Sequence, residues 1–223
     1  MEQRSRLYNS LRNMFFGAGN QIAVLILQFI SRTVFIKTLG AEYLGINGLF
    51  TNVLTVLSLA ELGFGNAIIY SMYKPLAKKD ERKLAALMQF YKKIYNIIGI
   101  IIFIIGLILI PFLDVLVKTD SQIPNLTLYF ILFLANTSFS YFFAYKSSII
   151  NADQKMYLVK LYTLIFNIIQ TILQIIILLL THNYILYLIL QLLGTLGTNI
   201  YIAYKANKMY PFIKKNEELR KKE

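Results

Sequence analysis

The chain has 223 residues, is 57% hydrophobic and has a mean hydropathy of +0.57, which excludes an ordinary soluble domain, whose apolar share is about 45–50%. Its net charge of +12 alternates along the chain with apolar stretches instead of forming one basic face, which excludes nucleic acid as a partner and points to the headgroups of membrane lipids. Cysteine is absent, so disulfides and thiolate-bound metals are excluded, and no cofactor or metal is expected.

Apolar runs near the roughly 20 residues that cross a bilayer core predict spans over 15–35, 46–70, 94–110, 126–145, 161–180 and 184–204. This is an all-α integral membrane protein, a six-transmembrane-helix bundle occupying 15–204, between an N-terminal segment 1–14 and a basic tail 205–223. All but Arg32, Lys37 and Lys118 of the 23 basic residues fall in the termini or in the connections 72–93 and 146–160. Basic residues stay on the cytoplasmic side, so both termini are expected there and the connections 36–45, 111–125 and 181–183 outside. The first stretch is too long for a signal-peptide core and shows no small-residue cleavage pattern, so it reads as a retained span.

In the first span Gln21, Gln28 and Arg32 fall within about 40° of one another at 100° per residue. The second aligns Asn47, Thr51, Ser58, Glu61 and Gly65 within about 80°. Between the second and third spans, Asp80 is an expected N-cap, followed by Leu84, Leu87, Met88 and Tyr91 at helical spacing. That segment is either a helix on the inner surface or a plain extension of the third span. The third span has only Gly99 and Gly106 as breaks between 97 and 110, so it belongs at the lipid-facing rim. The fourth gathers Asn136, Thr137, Ser138 and Ser140 near its middle. The fifth carries Lys160, Thr163, Asn167, Gln170, Thr171 and Gln174 on one side, and the sixth carries Gln191, Thr195 and Thr198. After a short connection holding His182, read as a solvated loop residue, the tail becomes strongly charged beyond Lys214.

Lipid does not satisfy polar side chains, so each stripe marks helix–helix contact or a hydrated cavity. The candidate cavity residues are Gln21, Gln28, Arg32, Asn47, Thr51, Ser58, Glu61, Lys160, Asn167 and Gln174. Glu61 is the costliest, at about 2.5–3.5 kcal/mol for an acidic group at the centre of an inserting helix. The Leu, Ile, Phe and Val residues of its span offset this with roughly −4 to −7 kcal/mol. Glu61 is protonated by desolvation, pairs with Lys160, or serves as a coupling-ion site. Arg32 lies about 15 Å shallower and is not its direct partner. It either snorkels outward as an anchor or lines an anion-binding cavity.

The runs FISRTVFIKTLGAEYLGINGLF, SLAELGFGNAI and YKPLAKKD, with a weaker continuation in NADQKMYLVK, resemble bacterial polysaccharide repeat-unit flippases of the Wzx type. These belong to the superfamily that also holds multidrug exporters and lipid II flippases. The resemblance implies a non-catalytic transporter that moves an undecaprenyl-pyrophosphate-linked oligosaccharide across the bacterial cytoplasmic membrane by alternating access, with Na+ or H+ as a possible coupling ion. It covers one six-helix lobe of a two-lobe architecture, so the expected state is a truncated or half-length form partnered by a second lobe. A multidrug exporter, a membrane enzyme and a nonfunctional membrane fragment are the alternatives.

Overall fold

A computed structural model describes residues 2–58, 64–117 and 123–214. Helices α1 (Glu2–Leu39), α2 (Ala41–Ser58), α3 (Phe64–Ala77) and α4 (Glu81–Leu109) are followed by a 3-10 turn (Ile110–Phe112) and the short α5 (Leu113–Leu116). Then come α6 (Leu126–Ala144), α7 (Ser147–Ala152), α8 (Met156–Thr181), α9 (Tyr184–Met209) and a closing 3-10 turn (Pro211–Lys214). No strand occurs among the described residues. Among the described residues, five stretches are long and apolar enough to cross a membrane: Gly17–Leu39, Glu81–Phe112, Leu126–Ala144, Met156–Thr181 and Tyr184–Met209. The expected second span falls on α2 and α3, with 59–63 between them, Glu61 included, outside the described residues.

Turn chemistry sets the helix ends. The connection expected over 36–45 shrinks to Gly40, whose φ of +95° suits a residue without a Cβ and whose N–H donates to the Ile36 carbonyl at 3.0 Å. Hydropathy reports the bilayer, not the helix end, and Lys37 and Thr38 stay helical, the Thr38 hydroxyl donating to the Val34 carbonyl at 2.8 Å. At the same end of the bundle, α8 stops at His182 in the left-handed region, its N–H donating to Leu178 O at 3.0 Å. Asn183 then caps α9, its Oδ1 accepting from the N–H groups of Ile185 and Leu186 at 2.9 and 3.2 Å. At the opposite end Asp80 caps α4 as expected, accepting from Lys83 N–H at 3.0 Å.

Helix α4 is continuous from Glu81, so the plain extension of the third span is the alternative realised. Leu84, Ala85, Ala86, Leu87 and Met88 are buried in protein and do not lie on a membrane surface. The segment after α9 packs here, with Tyr210 and Ile213 buried. The Tyr210 hydroxyl donates to Asp153 Oδ2 at 2.6 Å, and Lys155 Nζ pairs with the same oxygen at 2.7 Å. Burial first, then the hydrogen bond and charge of Asp153, push the Tyr210 pKa up, so the phenol remains a neutral donor.

Helix α6 is the most enclosed of the five long stretches and α1 the least. It packs against α4, α9 and α2. Glycines let α4 approach: a Cβ at Gly99 would lie 3.0 Å from the Ser138 carbonyl oxygen, and one at Gly106 would collide with Leu134. The other face of α4 exposes Ile97, Ile100, Ile101, Ile104 and Ile108, but α4 as a whole is more enclosed than α1, α8 and α9, so the expected rim position describes that one face and not the helix. Near the Gly40–His182 end, Phe35, Tyr43, Tyr129, Tyr184 and Tyr187 from α1, α2, α6 and α9 pack edge to face, with Tyr129 and Tyr184 centroids 4.7 Å apart.

Candidate functional site: a polar cavity between α1, α2, α8 and α9

Helix α1 runs along α8, and α8 along α9, which brings three of the polar stripes together. With the first half of α2 they line a half-open cavity of about 520 Å³. Gln28, Ser31, Arg32 and Phe35 come from α1, and Leu44, Asn47, Gly48, Thr51 and Asn52 from α2. Asn167, Gln170, Thr171 and Gln174 come from α8, and Tyr187, Gln191 and Thr195 from α9. At 1.5 Å per residue from Gly40 and His182, the lining runs from that end to roughly mid-bundle, about 20 Å down. The volume lies within the usual range of about 300–1,000 Å³ for small-molecule sites.

The lining chemistry is narrow. Among the described residues, seven carboxamide side chains and five hydroxyls surround one permanent cation, Arg32, and no carboxylate lines the cavity. Arg32 is exposed within the structure and forms no ion pair with a carboxylate among the described residues. Gln174 is buried and donates through Nε2 to the Tyr187 carbonyl at 3.2 Å, tying α8 to α9 along the cavity wall. Gln170 Nε2 donates in turn to Gln174 Oε1 at 3.5 Å. Gly194 makes room for this arrangement, because a Cβ there would occupy the place of the Gln170 carboxamide. The Thr51 hydroxyl donates back to Asn47 O at 2.7 Å, leaving its lone pairs toward a ligand.

Six of the ten candidate residues line this cavity: Gln28, Arg32, Asn47, Thr51, Asn167 and Gln174. Gln21 is exposed farther down α1 and is not part of the lining. Ser58 lies below the lining on α2 and spends its hydroxyl on Leu54 O at 2.8 Å. Lys160 sits near the opposite end of α8, its Nζ 3.0 Å from where a Gly17 Cβ would be. Glu61 lies outside the described residues. Ser31, Asn52 and Tyr187 were not singled out by sequence. Ser31 is three residues from Gln28, and Tyr187 four from Gln191, so helical spacing from a known member was the available signal.

Membrane-length helices around a polar, singly cationic cavity mark the chain as a helical membrane protein. No protein-family model, curated protein or solved structure matches it.

Proposed function

We propose that this protein is one six-helix lobe of a polysaccharide repeat-unit flippase, the Wzx type that its sequence resembles, sitting in the bacterial cytoplasmic membrane with both termini inside. Its substrate is an undecaprenyl-pyrophosphate-linked oligosaccharide, and its action is transport without covalent chemistry. The observation that carries this reading is the cavity lining among the described residues: carboxamides and hydroxyls suited to sugar hydroxyls, one guanidinium, and no carboxylate. A guanidinium binds phosphate oxygens in a bidentate, charge-assisted way. A multidrug exporter selecting cationic compounds would need acidic groups where this lining has Arg32.

The second lobe belongs to the proposal. On α2, residues Ala41, Gly45, Gly48, Asn52 and Thr55 recur at alternating spacings of four and three and are all exposed. Nothing lies within 4 Å of a Cβ built at Gly45 or Gly48. Polar and small residues facing lipid are unfavourable, whereas they suit close contact with another helical lobe or a shared aqueous path. Alternating access then arises from one lobe rocking against the other, with Na+ or H+ as coupling ion.

The test is export complementation in cells that supply the second lobe. Arg32→Ala at equal membrane abundance is expected to leave lipid-linked sugar at the inner leaflet, while Arg32→Lys retains part of the export. Unchanged export by Arg32→Ala would refute the assignment.

A further inference from the structure

A second feature lies at the other end of α8 and α9, outside the cavity. Lys205 Nζ sits 5.7 Å from the Tyr162 ring centroid and 5.4 Å from that of Tyr201. The two rings meet edge to face at 5.1 Å, and Tyr201 rests against Phe166 at 5.5 Å. Phe166 in turn lies 3.4 Å from a Cβ position at Gly197, so a close helix approach fixes the aromatic platform. A lysine stem is ordinarily mobile, but here the rings hold its ammonium in place.

The neighbouring lysines are differently engaged. Lys155, also over a tyrosine ring, is paired with Asp153 at 2.7 Å, whereas Lys205 has no carboxylate partner among the described residues. Lys205 stands four residues before the end of α9, about 6 Å from it along the axis, where tyrosine and lysine mark the headgroup level of a bilayer. On α8, Ile165, Ile169, Leu173 and Ile176 lie within about 60° of Tyr162 at 100° per residue and form an exposed apolar ridge leading from it toward the bundle middle. A cation and two phenolic hydroxyls beside an exposed apolar track match a phosphate that carries acyl chains.

We propose that Lys205, Tyr162 and Tyr201 bind the phosphate headgroup of an anionic membrane lipid, with the acyl chains along the α8 ridge. The site is independent of the transported substrate and rests only on the membrane setting of the helices. Native mass spectrometry of the purified protein with phosphatidylglycerol tests it, with phosphatidylcholine and inorganic phosphate as separate arms. Lys205→Gln is expected to weaken phosphatidylglycerol retention roughly tenfold or more, the scale of a charge-assisted contact. Lys208→Gln, which removes an exposed charge one turn away, is expected to cost roughly fivefold or less. Tyr162→Phe with Tyr201→Phe keeps the platform but removes the hydroxyls, and an intermediate loss is expected. Equal losses at 205 and 208 would replace the site with diffuse surface attraction. Full displacement by millimolar inorganic phosphate would assign the site to free phosphate and overturn the lipid. Unchanged thermal unfolding of Lys205→Gln separates loss of binding from loss of fold.

Discussion

Gly106→Ala probes the contact that joins α4 to the centre of the bundle. A Cβ at Gly106 would collide with Leu134 Cδ1 and lie 2.7 Å from its Cδ2 and 3.0 Å from its Cγ. Leu134 is 0% exposed, so it has no free space into which to rotate. Relief therefore requires an unfavourable rotamer or withdrawal of α4 from α6, a cost of about 1–3 kcal/mol for overpacking. Alanine recovers up to about 1 kcal/mol of helix propensity, which leaves a net loss of roughly 0–2 kcal/mol. Gly19→Ala supplies the matched control, because nothing lies within 4 Å of a Cβ there and only the propensity gain remains. Reversible unfolding in mixed micelles should place Gly106→Ala below Gly19→Ala by about the overpacking cost. Leu134→Ala alone opens a void, and the double variant should lose less than the sum of the two single changes by about 1 kcal/mol or more. Equal stability of the two glycine variants, or strict additivity in the cycle, would refute the packing argument.

Gly194→Ala should behave differently, since its Cβ meets the flexible end of Gln170 instead of an enclosed leucine. Stability should change by less than about 1 kcal/mol while the carboxamide is pushed into the cavity, and a crystal or cryo-EM structure of the variant would show whether Gln170 has left Gln174. Asn183→Ala removes two capping hydrogen bonds from α9 and should cost about 1 kcal/mol in the same unfolding assay. Tyr210→Phe should cost about 1–3 kcal/mol through loss of the 2.6 Å hydrogen bond to a carboxylate. Because the folded-state phenol ionises above its ordinary pKa of 10.0, that contribution is present at neutral pH and is lost only as pH rises above 10. Wild type should lose stability there relative to Tyr210→Phe.

Legibility differed by residue. The long helices were legible because their apolar runs match the bilayer, and Asp80 as a cap because a short acceptor precedes helical spacing. Gly40 was harder, since the hydropathy of Lys37 and Thr38 suggests a loop while only a local positive φ ends the helix. The cavity was half legible. Periodicity places Gln28 with Arg32, Asn47 with Thr51, and Asn167 with Gln174 on common faces, yet it carries no information about depth. Ser58 and Lys160 share those stripes but sit lower, outside the lining. Tyr187 reads as an apolar span residue, and its place beside Gln174 depends on the register of α8 against α9. The same register makes Gly194 a seat for Gln170, which no single-helix pattern contains.

The central claim is that the cavity around Arg32 receives the polar head of a lipid-linked sugar. Photo-crosslinking tests it most directly, with a photoreactive amino acid at Asn167 or Gln191 in the lining and at Ile104 on the outer face of α4 as control. With a polyprenyl-pyrophosphate-linked oligosaccharide in reconstituted membranes, adducts should form at 167 and 191, should be absent at 104, and should fall in an Arg32→Ala background. Equal adduct yield at all three positions, or yield unaffected by Arg32→Ala, would contradict it.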